Sequence, residues 1–140
     1  MENFNALIIE IALYVNPNLK HDETVNQIEQ IFRKNGFYTT REYLIYKLKD
    51  GSNRAGRIDL VARKGKFRVA LEYDHHSLIK WKSFQKIVQI KSDVAIGIVG
   101  NGNLEPNVER AKRYLKYLNS DLYVISLKRK SYKKFERQKK

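Results

Sequence analysis

The spacing of hydrophobic positions changes several times along this chain, and each change marks an element. Phe4, Leu7, Ile8, Ile11 and Val15 recur at helical intervals, predicting a first helix over residues 3–15 that stops before Pro17. Val25, Ile28, Ile31 and Phe32 repeat that spacing and predict a second helix, capped by Asp22 and closed near Asn35-Gly36. From Phe37 to Tyr46 aromatic and β-branched residues take over, the composition of a strand. After a turn at Asp50-Gly51, residues 57–62 and 67–74 read as two strands joined by Lys64-Gly65-Lys66, a hairpin.

Helical spacing returns with Leu78, Trp81, Phe84, Ile87 and Val88, placing Trp81 and Phe84 in the core. Asp93 to Val99 is apolar after its first residue, as in a strand covered on both faces, and Gly100-Asn101-Gly102 ends it. A last helix is expected from about Pro106 to Leu118, with acids early and bases late, followed by a strand over 121–127. The order ααβββαβαβ predicts an α/β fold, a mixed sheet flanked by helices, containing two strand–helix–strand crossovers.

With 140 residues, no internal repeat and no low-complexity linker, one domain is expected. The absence of cysteine excludes a disulfide framework and a thiolate zinc site, and no apolar run is long enough to span a membrane. Glu2 and Glu10 flank the first apolar positions, unlike a signal peptide, so a cytoplasmic protein is expected.

Charge narrows the partner. Lys and Arg total 28 against 15 acids, a net charge of +13, which suits a polyanion such as DNA. The excess is densest in Lys128-Arg129-Lys130 and onward, so residues 1–128 read as the domain and 129–140 as a basic tail. A solubilising tail is the plainer alternative.

Against that charge, the acids inside apolar strands stand out. Asp59 lies in Ile58-Asp59-Leu60-Val61, and Glu72 and Asp74 share one face of Val69-Ala70-Leu71-Glu72-Tyr73-Asp74. If the hairpin brings Asp59 beside Glu72, the carboxylates repel unless a hard cation, magnesium or manganese, sits between them. Glu29, about 40° from Val25 on the helical wheel, borders the apolar stripe and is a further candidate ligand. The plainer reading pairs Asp59 with Arg57 or Arg63, and Glu72 with a lysine.

These residues resemble the PD-(D/E)XK nuclease superfamily, most closely its archaeal Holliday-junction resolvases. The resemblance covers about residues 22–99: Glu29 on a helix leading into Gly36-Phe37-Tyr38, the Ile58–Val61 strand, the Ala70-Leu71-Glu72-x-Asp74 strand, then a helix and a buried strand. It implies a restriction-endonuclease-like fold and a metal-dependent DNA endonuclease acting on branched or structured DNA. Asp59, Glu72 and Glu29 would be metal ligands for Mg2+ or Mn2+, with Asp74 assisting.

Two positions depart from the family pattern. Ile58 stands where proline is frequent. Asp74 replaces the lysine that orients the attacking water and stabilises charge on the phosphate, a role nearby Lys80 or Arg57 would then take over. Without such a substitute the chain would be a DNA-binding protein that does not cut, and an RNA-binding basic protein is a third reading. Arg54, Arg57, His75, His76, Lys82, Lys128, Arg129 and Lys130 are candidate phosphate contacts. Cutting two strands with one site per chain favours a homodimer.

Overall fold

The computed structural model describes residues 3–45 and 56–137. Helices α1 (Phe4–Tyr14) and α2 (His21–Lys34) come first. Strands β1 (Tyr38–Ile45), β2 (Gly56–Lys64) and β3 (Phe67–Asp74) follow, then α3 (Trp81–Gln89), β4 (Val94–Val99), α4 (Leu104–Lys112), a 3-10 turn at Leu115–Tyr117, β5 (Asp121–Ser126) and β6 (Ser131–Phe135). The fold is α/β, with one six-stranded mixed sheet in sequential order β1 to β6. β3, β4 and β5 run parallel, and the other neighbouring pairs are antiparallel.

Each layer follows from its residue pattern. The buried residues of α1 and α2, among them Ile8, Ile11, Val25, Ile28 and Phe32, pack with Leu60, Leu71, Tyr73, Ile96 and Ile98 on one face of the sheet. Phe84, Ile87, Val108 and Ala111 of α3 and α4 pack with Ile58, Ala70, Ala95 and Val124 on the other. Every residue of β4 is buried because helices cover both its faces. At about 1.5–3 kcal/mol for each large apolar side chain buried, these two cores supply the main cohesion.

The expected hairpin forms, with a tighter loop than the predicted Lys64-Gly65-Lys66 connection. Lys64 pairs with Phe67, leaving Gly65-Lys66 as a two-residue loop, and Gly65 has φ +60°, where glycine is favoured. At the far end of β4, Gly102 has the same necessity for another reason: a Cβ there would collide with the backbone carbonyl of Ser77. The Gly100–Gly102 turn thus packs against the segment that follows β3.

Four expectations change. The last helix does not run from Pro106 to Leu118: α4 spans Leu104–Lys112, and Leu115–Tyr117 is a separate 3-10 turn. Asp22 does not cap α2. The helix begins at His21, with Lys20 at the N-cap and Asp22 inside the first turn, and the His21 ring reaches the Tyr73 carbonyl of β3 at 3.0 Å. Trp81 is not core; it is 37% exposed, while Phe84 is fully buried. The supposed tail also contains structure: Ser131–Phe135 is an edge strand paired with β5, with Tyr132 and Phe135 packed on opposite cores. A lysine-rich stretch masks its strand character because edge strands tolerate lysine well.

Candidate active site

Pairing between β2 and β3 runs from Lys64↔Phe67 to Leu60↔Leu71 and stops. Asp59 and Glu72 occupy the next register position, where the strands part and side chains replace the main-chain ladder. Asp59 N–H donates to Glu72 Oε2 at 2.7 Å, and Tyr73 N–H donates to Asp59 Oδ2 at 2.8 Å. Each carboxylate satisfies an amide of the opposite strand, which keeps the opening free of orphaned donors. The disturbance extends along β2: Ile58 packs with the α3/α4 layer and Leu60 with the α1/α2 layer, although residues two apart in a regular strand share a face. Glu42 of β1, between the Arg41↔Leu60 and Tyr43↔Ile58 pairs, has φ +53°. A non-glycine residue there stores roughly 1–2 kcal/mol of strain.

One cation reaches the acids from each helical layer. On the α2 side, His21 Nε2 lies 3.5 Å from Asp59 Oδ2. On the α3 side, Lys86 Nζ lies 2.9 Å from Glu72 Oε1. Burial pushes the Glu72 carboxyl up, the charge of Asp59 adds to that, and Lys86 only partly offsets them, leaving it at about 8. Burial acts on Asp59 in the same direction but is outweighed by its bonds to His21 and the Tyr73 amide, so its carboxyl falls below the usual range. The bond to Asp59 raises His21 to about 9, against the opposing effect of burial. The two acids therefore differ: one is held ionised, and the other readily keeps a proton.

Of the residues singled out in the sequence, the structure brings Asp59 and Glu72 together and assigns others elsewhere. Asp74 lies on the α3 side, but its Oδ2 accepts from Lys80 N–H at 3.1 Å and from Ser83 Oγ at 2.8 Å, so it serves the amino end of α3. Lys80 approaches Asp74 at 4.0 Å, not Glu72. It sits at the N-cap with an exposed side chain, before the helix has turned toward β3. Glu29 is buried, yet it faces β1: Thr39 Oγ1 donates to it at 2.7 Å, and Arg33 and Arg41 lie at 3.4 and 3.7 Å.

Lys86 and His21 were missed. Ser83 and Lys86 are three apart on α3, and Asp74 and Glu72 two apart on β3. Polar residues at helical spacing beside an apolar stripe, crossing a strand with two acids on one face, were the available signal for Lys86. His21 carried no such signal, because its contacts are with residues far along the chain.

Several of the candidate phosphate contacts lie at the end of the sheet where β2 and β3 part. His75 follows β3 and is held by Tyr73 Oη at 3.2 Å and by Asn101, whose side-chain amide donates to its carbonyl at 2.8 Å. His76, Lys82 and Arg57 are exposed. Lys128, Arg129 and Lys130 form the exposed β5–β6 turn, and Arg129 Nε donates to Asn103 Oδ1 at 2.7 Å. Because β3 and β5 are parallel and β2 is antiparallel to β3, Arg57, His75 and the 128–130 turn lie at the same end of the sheet. Arg54 falls outside the described residues.

The donor set fits a hard divalent cation in its chemistry: two carboxylates, close enough for one charge to raise the other's proton affinity, offer oxygen ligands. Among the described residues no group of three or more His, Asp or Glu side chains is arranged to hold a metal. Magnesium commonly takes one or two carboxylates and fills its remaining positions with water and phosphate oxygens.

No family model matches this chain, and no curated protein matches it. Among solved structures it is similar to a crystal structure of a protein of unknown function, AF1548, at 10% identity and a TM-score of 0.48. That match covers 75% of this chain and 56% of the other. Among the described residues no helix is long and apolar enough to cross a membrane.

Proposed function

We propose that this protein is a metal-dependent DNA endonuclease of the PD-(D/E)XK type, acting on branched or structured DNA. The observation that carries this reading is the meeting of Asp59 and Glu72 where β2 and β3 part, with Lys86 on Glu72. Asp59 and Glu72 would hold magnesium or manganese. When bound, that ion supplies Lewis acidity toward the scissile phosphate and its attacking water. Lys86 keeps Glu72 oriented and contributes the positive charge that position 74 lacks. His21 holds Asp59 from the opposite layer, and the basic residues around the sheet end bind the polynucleotide backbone. A two-fold dimer would present one such site to each strand.

The test is incubation with branched, single-stranded and duplex DNA plus magnesium or manganese. Cuts are expected that Glu72→Ala abolishes; equal cutting by that variant would overturn the assignment.

A second reading, DNA binding without cleavage, is favoured by one observation: each acid already has a cationic partner, His21 or Lys86. In that case no metal supports cutting, and Asp59→Ala binds DNA as well as the native chain or better.

A further inference from the structure

Away from the acid pair, α3 borders a cleft of about 790 Å³ lined by Trp81, Gln85, Val88, Arg113, Tyr114, Tyr117 and Asn119. No acid lines it. We propose that this cleft is a stacking site for the unpaired bases of single-stranded nucleic acid, separate from the site at Asp59 and Glu72.

The cleft has a built aromatic floor. Tyr114 stacks on buried Phe84 with ring centroids 5.2 Å apart and an interplanar angle of 20°, and Trp81 lies 5.7 Å from Tyr114. The floor rests on the core, so little ordering remains to oppose binding. Above it, Trp81 is 37% exposed and Tyr117 is 58% exposed. Large aromatic surface left in water beside a cavity within the range of ligand sites is unusual for a residue serving only to pack.

Charge selects the occupant. The guanidinium carbons of Arg110 and Arg113 lie 4.2 and 5.4 Å from the Trp81 ring, and Lys116 Nζ lies 5.1 Å from the Tyr117 ring. Aromatic faces interleaved with cations match a strand of alternating bases and phosphates: the bases stack and the cations take the backbone. A duplex offers the phosphates but keeps its bases stacked on one another, so it does not use the floor. A plain α3–α4 staple, Trp81 packed under arginine, would account for the cation–π contacts at Trp81 but not for the exposed Tyr117 that also lines the cleft.

The inference rests only on the nucleic-acid part of the proposed function and adds its substrate feature, an unpaired segment. Trp81 is the only tryptophan in the sequence, so it reports directly. The full chain, with EDTA present to suppress cutting, is titrated with oligo(dT) and with a duplex of equal length while Trp81 emission is followed. Saturable quenching by the single strand is expected, with little by the duplex. Tyr117→Ala should weaken single-strand binding about tenfold, the scale of one lost base–aromatic stack, with duplex affinity held within about twofold. Equal quenching by poly-glutamate, no quenching by oligo(dT), or unchanged affinity in Tyr117→Ala would overturn the proposal. Quenching without any cleavage in magnesium sinks only the nuclease reading; cleavage without quenching sinks only this one.

Discussion

The ammonium of Lys86 stands 2.9 Å from the Oε1 of Glu72, fourteen residues earlier in the chain and in a different layer. Glu72 is 2% exposed, so whenever its carboxyl is ionised this contact is the main compensation for a charge removed from water. Its removal has two expected effects. Lys86→Ala should lower the unfolding free energy by about 1–3 kcal/mol, less than for a stranded charge because Glu72 can take up a proton instead. It should also abolish DNA cleavage, whereas Lys80→Ala should cut at near the native rate. Urea unfolding and a nicking assay read the two effects, and a Lys86→Ala variant that cuts normally would remove this lysine from the mechanism.

Metal binding should depend on pH through Glu72. A carboxylate must be ionised to ligate, and this one keeps its proton up to about 8. Manganese affinity measured by calorimetry should therefore rise as pH increases toward 8, with proton release accompanying each binding event. Glu72→Gln should reduce both the pH dependence and the released proton, leaving the part that His21 contributes through its bond to Asp59.

The same groups set a stability profile without metal. The folded state holds protons more tightly than the unfolded chain at Glu72 between 4.5 and about 8, and at His21 between 6.5 and about 9. In those windows the folded state binds more protons, so stability falls as pH rises. The His21 contribution is fully present below 6.5 and lost through about 9. Asp59 acts oppositely, its stabilisation being lost as pH falls below its usual 3.8. Thermal unfolding should give a lower Tm at pH 9 than at pH 6, and His21→Ala should flatten the upper part of that slope.

Asp74 is expected to matter for stability and not for metal. Its carboxylate bonds the Lys80 amide and the Ser83 hydroxyl, so Asp74→Ala should cost about 1–2 kcal/mol, as for loss of a helix cap. Manganese affinity should stay near native. Asp74→Lys, which restores the family's usual residue, should destabilise without raising activity, because the side chain at this position meets the start of α3. Denaturant unfolding, manganese calorimetry and the nicking assay together check this; a gain of cutting in Asp74→Lys would refute it.

Local pattern was enough for much of the architecture. The helical spacing of Leu7, Ile8 and Ile11, the hairpin glycine at Gly65 and the apolar run of β4 each state their own conformation, because periodicity and turn chemistry act over a few residues. β6 escaped because two lysines in five residues read as solvated charge, and only its pairing with β5 reveals the strand. Trp81 escaped in the other direction: its spacing suited the core, while the neighbouring Phe84 filled that space and left the indole outside.

The sequence by itself determined that two acids would lie in adjacent strands of an α/β sheet, since alternation and the tight Lys64-Gly65-Lys66 connection mark one hairpin, whereas the exact register came from the pairing of Lys64 with Phe67. Only the tertiary structure decided what surrounds them. Asp59 met His21 from one layer and Glu72 met Lys86 from the other, while Glu29 and Asp74 turned to Arg41 and Ser83. Those partners lie on elements brought together by burial of the two cores, and burial is collective: it specifies which faces meet without leaving a short-range trace of which polar atoms meet there.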